Sequence, residues 1–265
     1  MATAGELYHS GHLSPAIEAA SQAVKAAPSD LSARWLLAEL LIVRGDHDRA
    51  DLQFDTIMSL EAGAAATVVP MRHLLRADAA RRDFFAAARV PEFLDDGPTP
   101  LMKLLLEAFV QLRAGDSRRA GELAAEAERI RPALTGLRGD EPFTDFRDLD
   151  DLASGIFEVL TKTGKYYWIP AERVELLEFT KAARPLDLVW RPVRMVVRDA
   201  FDAEVHMPAV YGTIDGADDT SRLGRRTDWI GEPPAPVRGV GQRVFLLNDD
   251  REVGVMELET VTFGG

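Results

Sequence analysis

The chain has 265 residues, 46% of them hydrophobic, a formal net charge of −12 and no cysteine. That is enough apolar content for one large or two ordinary cores, and it excludes wholesale disorder, disulfides, thiolate catalysis and Cys-based zinc sites. The acidic balance argues against nucleic acid and anionic membrane surfaces as partners, since both select clustered Lys and Arg. The absence of cysteine suits a cytoplasmic protein.

Residues 1–135 read as helices, built on a spacing that recurs three times. Gly11 is followed five residues later by Ala16, Gly45 by Ala50 and Gly115 by Ala120; Gly11 and Gly45 lie 34 residues apart, and Gly115 is 70 further on. Pro28 and Pro132 follow the first and last of these glycines by seventeen residues. This is the grammar of tetratricopeptide-like hairpins: glycine turns, a small residue at the helix crossing, proline past the end.

The first hairpin keeps only Leu7 and Tyr8 of its leading helix. Ser14-Pro15 is expected to open its second helix as cap and first-turn proline. The second hairpin starts near Ser29-Asp30. Trp35, Leu36, Leu37, Leu40, Leu41 and Val43 mark one helix, and Ala50, Phe54, Ile57 and Met58 the next. Val69 to Phe93 is helical in pattern without a glycine turn and reads as a degenerate hairpin. Asp95 to Pro100 breaks the pattern, and Leu101–Arg113 with Ser117–Ile130 forms the last clear hairpin. In this register the first helices line a concave face, which would carry Tyr8, Trp35, Glu39, Ile42, Leu105, Phe109 and Arg113. A groove of this kind accepts a partner's amphipathic helix, and Trp35→Ala or Phe109→Ala is expected to weaken such binding without unfolding the chain.

Composition changes after Leu134. Residues 136–155 crowd Asp140, Glu141, Asp145, Asp148, Asp150 and Asp151 into what reads as an acidic linker with a solvated face. Asp215, Asp218 and Asp219 read the same way. Residues 156–265 favour strands, at Ile156–Thr161, Tyr166–Ile169, Val174–Phe179, Leu188–Val197, Glu204–Tyr211, Arg243–Leu247 and Glu252–Thr262, separated by turns such as Thr163-Gly164-Lys165, Asp215-Gly216 and Asn248-Asp249-Asp250. Their partial alternation fits a small curved sheet or partly open barrel, interrupted by a helix. The expected fold is therefore α+β in two domains, with tetratricopeptide-like hairpins before a β-rich half.

Catalytic grammar is absent from the sequence. His9, His12, His47, His73 and His206 are scattered, and no H-E-x-x-H, G-x-S-x-G or P-loop pattern occurs. Gly239-Val240-Gly241 is a lone GxG read as a loop needing positive φ. No metal or other cofactor is expected, and no enzyme.

The β-rich half carries a specific resemblance. Gly164-Lys165-Tyr166-Tyr167-Trp168-Ile169-Pro170 with Glu172-Arg173, then Arg184-Pro185 with Asp187-Leu188 and Trp190-Arg191-Pro192, then Pro208-Ala209 with Tyr211, Leu223-Gly224-Arg225 with Thr227-Asp228-Trp229, and Gly239-Val240-Gly241-Gln242-Arg243 run in order over about 100 residues. Together they resemble the signature of the ImpE/SciE/TagJ family of type VI secretion accessory proteins. The resemblance implies a cytoplasmic, non-enzymatic accessory factor. Its implied partner is the N-terminal region of the small contractile-sheath subunit, and it is implied to be linked to the sheath-recycling AAA+ ATPase. Two alternatives stand beside it: a general peptide-binding adaptor or chaperone, and an enzyme with a site between the two halves. Within the signature, alternation places Tyr166 and Trp168 on one strand face and Tyr167 on the other. Arg173, Arg191 and Arg225 are expected to pair with Glu172, Asp187 and Asp228 to hold loops.

Overall fold

The computed structural model describes residues 2–87, 89–212, 217–248 and 250–264; of the turns expected above, Asp215-Gly216 and Asp249 lie outside them. The helical half comprises α1 (Ala4–His9), α2 (Leu13–Ala26), α3 (Leu31–Arg44), α4 (His47–Leu60), α5 (Ala65–Ala87), α6 (Pro100–Arg113) and α7 (Ser117–Ile130).

The three glycines act identically. Gly11, Gly45 and Gly115 have φ of 86°, 93° and 85°, a left-handed conformation open to glycine at little cost. The next residue then donates to the carbonyl five positions back: His12 to Leu7, Asp46 to Leu41, Asp116 to Gln111. This bond satisfies a helix-end acceptor and reverses the chain. Ala16, Ala50 and Ala120 are each fully buried at the crossing that follows. Asp30 caps α3 by accepting from Ser32 and Ala33.

Two local expectations change. α2 begins at Leu13, one residue before Ser14, with no side-chain cap. The supposed degenerate hairpin is the single 23-residue helix α5: with no glycine in it to take a left-handed turn, the backbone ladder simply continues.

The second half contains β1 (Gly136–Arg138), β2 (Glu141–Phe143), β3 (Phe146–Asp148), β4 (Ile156–Leu160), β5 (Tyr166–Pro170), β6 (Val174–Phe179), β7 (Trp190–Val197), β8 (Phe201–Pro208), a one-turn helix α8 (Asp219–Arg222), β9 (Thr227–Ile230), β10 (Arg238–Gly241), β11 (Val244–Leu247), β12 (Arg251–Gly254) and β13 (Thr260–Phe263). Eight strands form one antiparallel sheet in the order β2-β1-β13-β6-β7-β8-β4-β5. β12-β11-β3 forms a three-stranded sheet and β10-β9 a two-stranded one. The large sheet is open rather than a closed barrel. The acidic segment 136–155 is folded rather than a linker, since it supplies β1 and β2 to the large sheet and β3 to the small one. The run Glu252–Thr262 splits into β12 and β13 around the 3₁₀ turn Val255–Glu257.

The large sheet separates two cores. Residues Ile156, Leu160, Tyr166, Trp168 and Trp190 belong to the core formed with the helices. Their alternates Phe157, Val159, Ile169, Val193 and Met195 belong to a second core shared with Phe146, Phe245 and Val253 of the small sheet. Both faces are thus covered, which is why β4 is buried at every position, the charged Glu158 included.

Candidate functional site

The residues expected to line an open groove are mostly covered by the chain's own second half. Arg225 donates to the Tyr8 and His9 carbonyls at 2.7 and 3.0 Å, its guanidinium 5.7 Å from the Tyr8 ring centre. Glu39 is buried and ion-paired with Arg184 at 3.3 Å. Ile42 is buried and lines a cavity with Trp190 and Val210, and Leu105 is fully buried. The Phe109 ring lies 4.7 Å from Phe84 and 6.1 Å from Trp168. Only Trp35, half-buried edge-on against Phe54, and Arg113, which donates to the Phe84 carbonyl, keep access to solvent. Phe109→Ala would therefore report on core packing rather than on a groove. A hairpin surface of this apolarity must be covered by something, and here the covering segment is covalently attached.

Glu39 carries a testable consequence of that covering. Burial pushes its carboxyl up to about 7, against the opposing pull of Arg184, with Asp187 adding to the rise. A carboxyl raised on folding binds its proton more tightly in the native state, so its contribution to stability is lost as pH rises from about 4.5 through 7. Glu39→Gln is expected to gain on the wild type as pH goes from about 5 to 8, by roughly 1–3 kcal/mol, measured by urea unfolding. A pH-independent difference between the two proteins would refute the assignment.

The signature strand does two jobs on its two faces. Gly164 takes φ 87° in the β4–β5 turn. Toward the helices, Trp168 Nε1 donates to Tyr166 Oη at 2.6 Å, and Tyr166 Oη donates to Glu158 Oε1 at 2.6 Å. Glu158 is gripped by Arg81 of α5, at 2.8 and 3.0 Å, and by Arg243. Arg243 continues to Asp148 at 2.6 Å, which accepts from Tyr211 Oη at 2.9 Å. All of these side chains are buried. Burial alone would raise the Glu158 carboxyl, but the two guanidiniums overcome it and hold the group at about 2. Asp148, expected on a solvated face, is thus part of a buried ionic chain joining helix to sheet. Its neighbours Asp145, bonded to Arg131, and Asp150 and Asp151, which accept from the Gly239 and Val237 amides, are likewise structural. Asp218 caps α8, and Asp219 accepts from Ser14. Among the described residues no group of acidic and histidine side chains is arranged to hold a metal ion.

The expected arginine pairs are replaced by others. Arg173 binds Asp96 at 2.9 Å and the Arg198 carbonyl at 2.6 Å. Arg191 donates to the Val255 and Leu258 carbonyls and lies 4.5 Å over the Phe179 ring. Arg225 reaches the end of α1, as above. Asp187 accepts from Arg184, and Asp228 pairs with Arg226 at 2.6 Å. Glu172 makes no ion pair among the described residues. A guanidinium carries five donors on a long stem, so it satisfies distant orphan carbonyls as readily as a nearby carboxylate. Sequence neighbours do not predict that choice. Pro192 accepts from the Thr180 amide, and Gly224 takes φ 61° beside Val210. Trp229 is exposed against the Tyr211 ring. Gly239 and Gly241 lie in β10, not a loop; only Gly241 has positive φ, while a Cβ on Gly239 would sit 2.1 Å from the Tyr211 ring.

On its opposite face the signature strand opens onto a groove. Val159, Ile169 and Val205 form the floor with half-exposed Tyr167, whose ring centre lies 5.9 Å from the Lys165 ammonium. Phe93 and Leu94 form one wall, from the α5–α6 connection, and Phe201 and Ala203 the other, from β8. Glu92 fixes the first wall by exchanging backbone hydrogen bonds with β5, its amide to the Tyr166 carbonyl at 2.8 Å and its carbonyl to the Trp168 amide at 3.1 Å. Arg173 ties the walls together through Asp96 and the Arg198 carbonyl. The signature supplies only Tyr167, Ile169 and Arg173 to this groove, and its walls come from segments far apart in the chain.

No helix among the described residues is long and apolar enough to cross a membrane. Residues 140–262 match the family model described as ImpE protein. The chain is 31% identical, over 98% of its own length and 90% of the relative's, to the type VI secretion system accessory component TagJ of Pseudomonas aeruginosa. The crystal structure of protein VPA1032 from Vibrio parahaemolyticus superposes with a TM-score of 0.91 at 30% identity, covering 99% of this chain and 97% of that one. Similarity of that extent, through helical half and sheet alike, places the chain in the ImpE/TagJ family.

Proposed function

We infer that this protein is a non-enzymatic accessory component of a bacterial type VI secretion system. It works in the cytoplasm by binding the N-terminal helix of the small contractile-sheath subunit, and is linked to the sheath-recycling AAA+ ATPase only through that partner. The observation that carries the reading is the similarity to TagJ along nearly the whole chain. The architecture is compatible with it: helical hairpins and a sheet locked into one body, with solvent-facing grooves left on its outside. Because the inner face of the hairpins is already covered, the partner is expected on one of those outer grooves.

Calorimetric titration with a synthetic peptide from the small sheath subunit's N-terminus, taken from the same bacterium, tests this. A Kd of about micromolar or tighter is expected, lost when the apolar face of the peptide is changed to serine. Absence of heat and of competition at any workable concentration would sink the reading. Equal affinity for unrelated amphipathic helices would favour a general adaptor instead.

A further inference from the structure

We propose that the groove between the α5–α6 connection and β8 is the docking site for a partner segment with an apolar side flanked by lysine or arginine. The proposal rests on the binding function inferred above and gives it a location and a chemistry.

The groove has the construction of a binding site. Its floor is apolar and mounted on strands, so it is held in place before any partner arrives. One wall is pinned by Glu92 and both are strapped by Arg173. The concavity exists because β8 outruns its neighbour: β8 pairs with β7 along its whole length but with β4 only at His206, opposite Leu160. Beyond that point the β4–β5 turn ends, and Phe201 and Ala203 are left facing the groove.

Charge at the rim selects the occupant. The cations nearby are already engaged: Arg173 by Asp96, Lys162 by Glu204, and Lys165 by the Tyr167 ring. Asp95 on one wall and Asp199 beside the other are exposed and make no ion pair among the described residues. The complement of an apolar floor between two unmatched carboxylates is an apolar anchor with cationic flanks: the anchor supplies affinity, and the charges supply on-rate and partner choice. A second copy of this chain, at net charge −12, would bring repulsion on average, which argues against self-association through this face.

The test uses the full-length protein, the sheath-subunit peptide, and two designed amphipathic peptides with one apolar face, one flanked by lysine and the other by glutamate. Asp95→Lys with Asp199→Lys reverses the rim at exposed positions, Ala203→Trp fills the groove from an exposed strand position, and Leu52→Lys, on α4 away from the groove, is the control. The wild type should prefer the lysine-flanked peptide, the double reversal should weaken it by about tenfold and reverse the preference, Ala203→Trp should abolish binding, and Leu52→Lys should bind within about twofold of wild type. Sheath-peptide binding unchanged by all the groove variants would overturn the groove and leave the accessory-binding function standing. Groove-dependent binding of the lysine-flanked peptide with no sheath-peptide binding would uphold the groove and remove the sheath partner. Binding of neither peptide by the wild type would overturn both.

Discussion

Glu158→Ala is expected to lower the stability of the folded protein by about 3–5 kcal/mol, since removing one member of a buried ionic cluster strands its partners. Glu158 answers the guanidiniums of Arg81 and Arg243 and the hydroxyl of Tyr166, all buried. With about 2–4 °C of melting temperature per kcal/mol for a chain of this size, the loss should read as a drop of roughly 10 °C. Combining Glu158→Ala with Arg81→Met should then cost less than the sum of the two single changes, because Arg81 has Glu158 as its ion-pair partner and loses it in Glu158→Ala. The same network sets the acid limit. The Glu158 carboxyl sits at about 2 in the folded protein against an ordinary 4.5. Its contribution is therefore complete above about pH 4.5 and is lost as pH falls toward 2. Glu158→Gln should flatten that part of the stability profile. A Glu158→Ala protein that melts within a degree or two of wild type would show that the cluster is no anchor.

Trp168→Ala is the second large effect, at about 3–5 kcal/mol for an aromatic removed from a packed core. The ring is 1% exposed, 5.0 Å from Phe84 and 6.1 Å from Phe109, and its indole nitrogen donates to Tyr166. Phe84 lies on α5 and Phe109 on α6, so the substitution cuts into the core where helices and sheet share it. In urea, circular dichroism of the helices and near-ultraviolet signals of the sheet aromatics should still be lost in one step, at a lower midpoint with a similar slope. Two separated transitions in the wild type would contradict a common core.

This shared core is what separates the legible from the illegible. The hairpins were legible because their signals are local. A left-handed glycine, an alanine five residues on and a terminating proline each act within one turn of chain, and the structure places all three glycines in the same turn. Strands β4 to β6 were legible for the same reason, being short β-branched and aromatic runs between turn residues. The short strands β1–β3, β9 and β10 were not, because three or four residues carry too little periodicity to rise above a loop, and in β1–β3 a run of carboxylates disguised them. α5 was misread where a break was expected and no residue required one.

The side chains that matter most for binding show the limit most sharply. From register alone Tyr8, Glu39, Ile42, Leu105 and Phe109 belong to a groove; in the folded chain all five are buried. What register does not contain is the second half of the chain packing against Tyr8, Glu39, Ile42 and Phe109. Asp148 reads as a surface carboxylate until Arg243, 95 residues away, is brought against it. By itself the sequence determined the hairpin grammar, the strands with strong alternation and the family. Tertiary structure decided which faces are left for a partner, because burial is a property of two surfaces meeting, and local spacing specifies each surface without specifying what it meets.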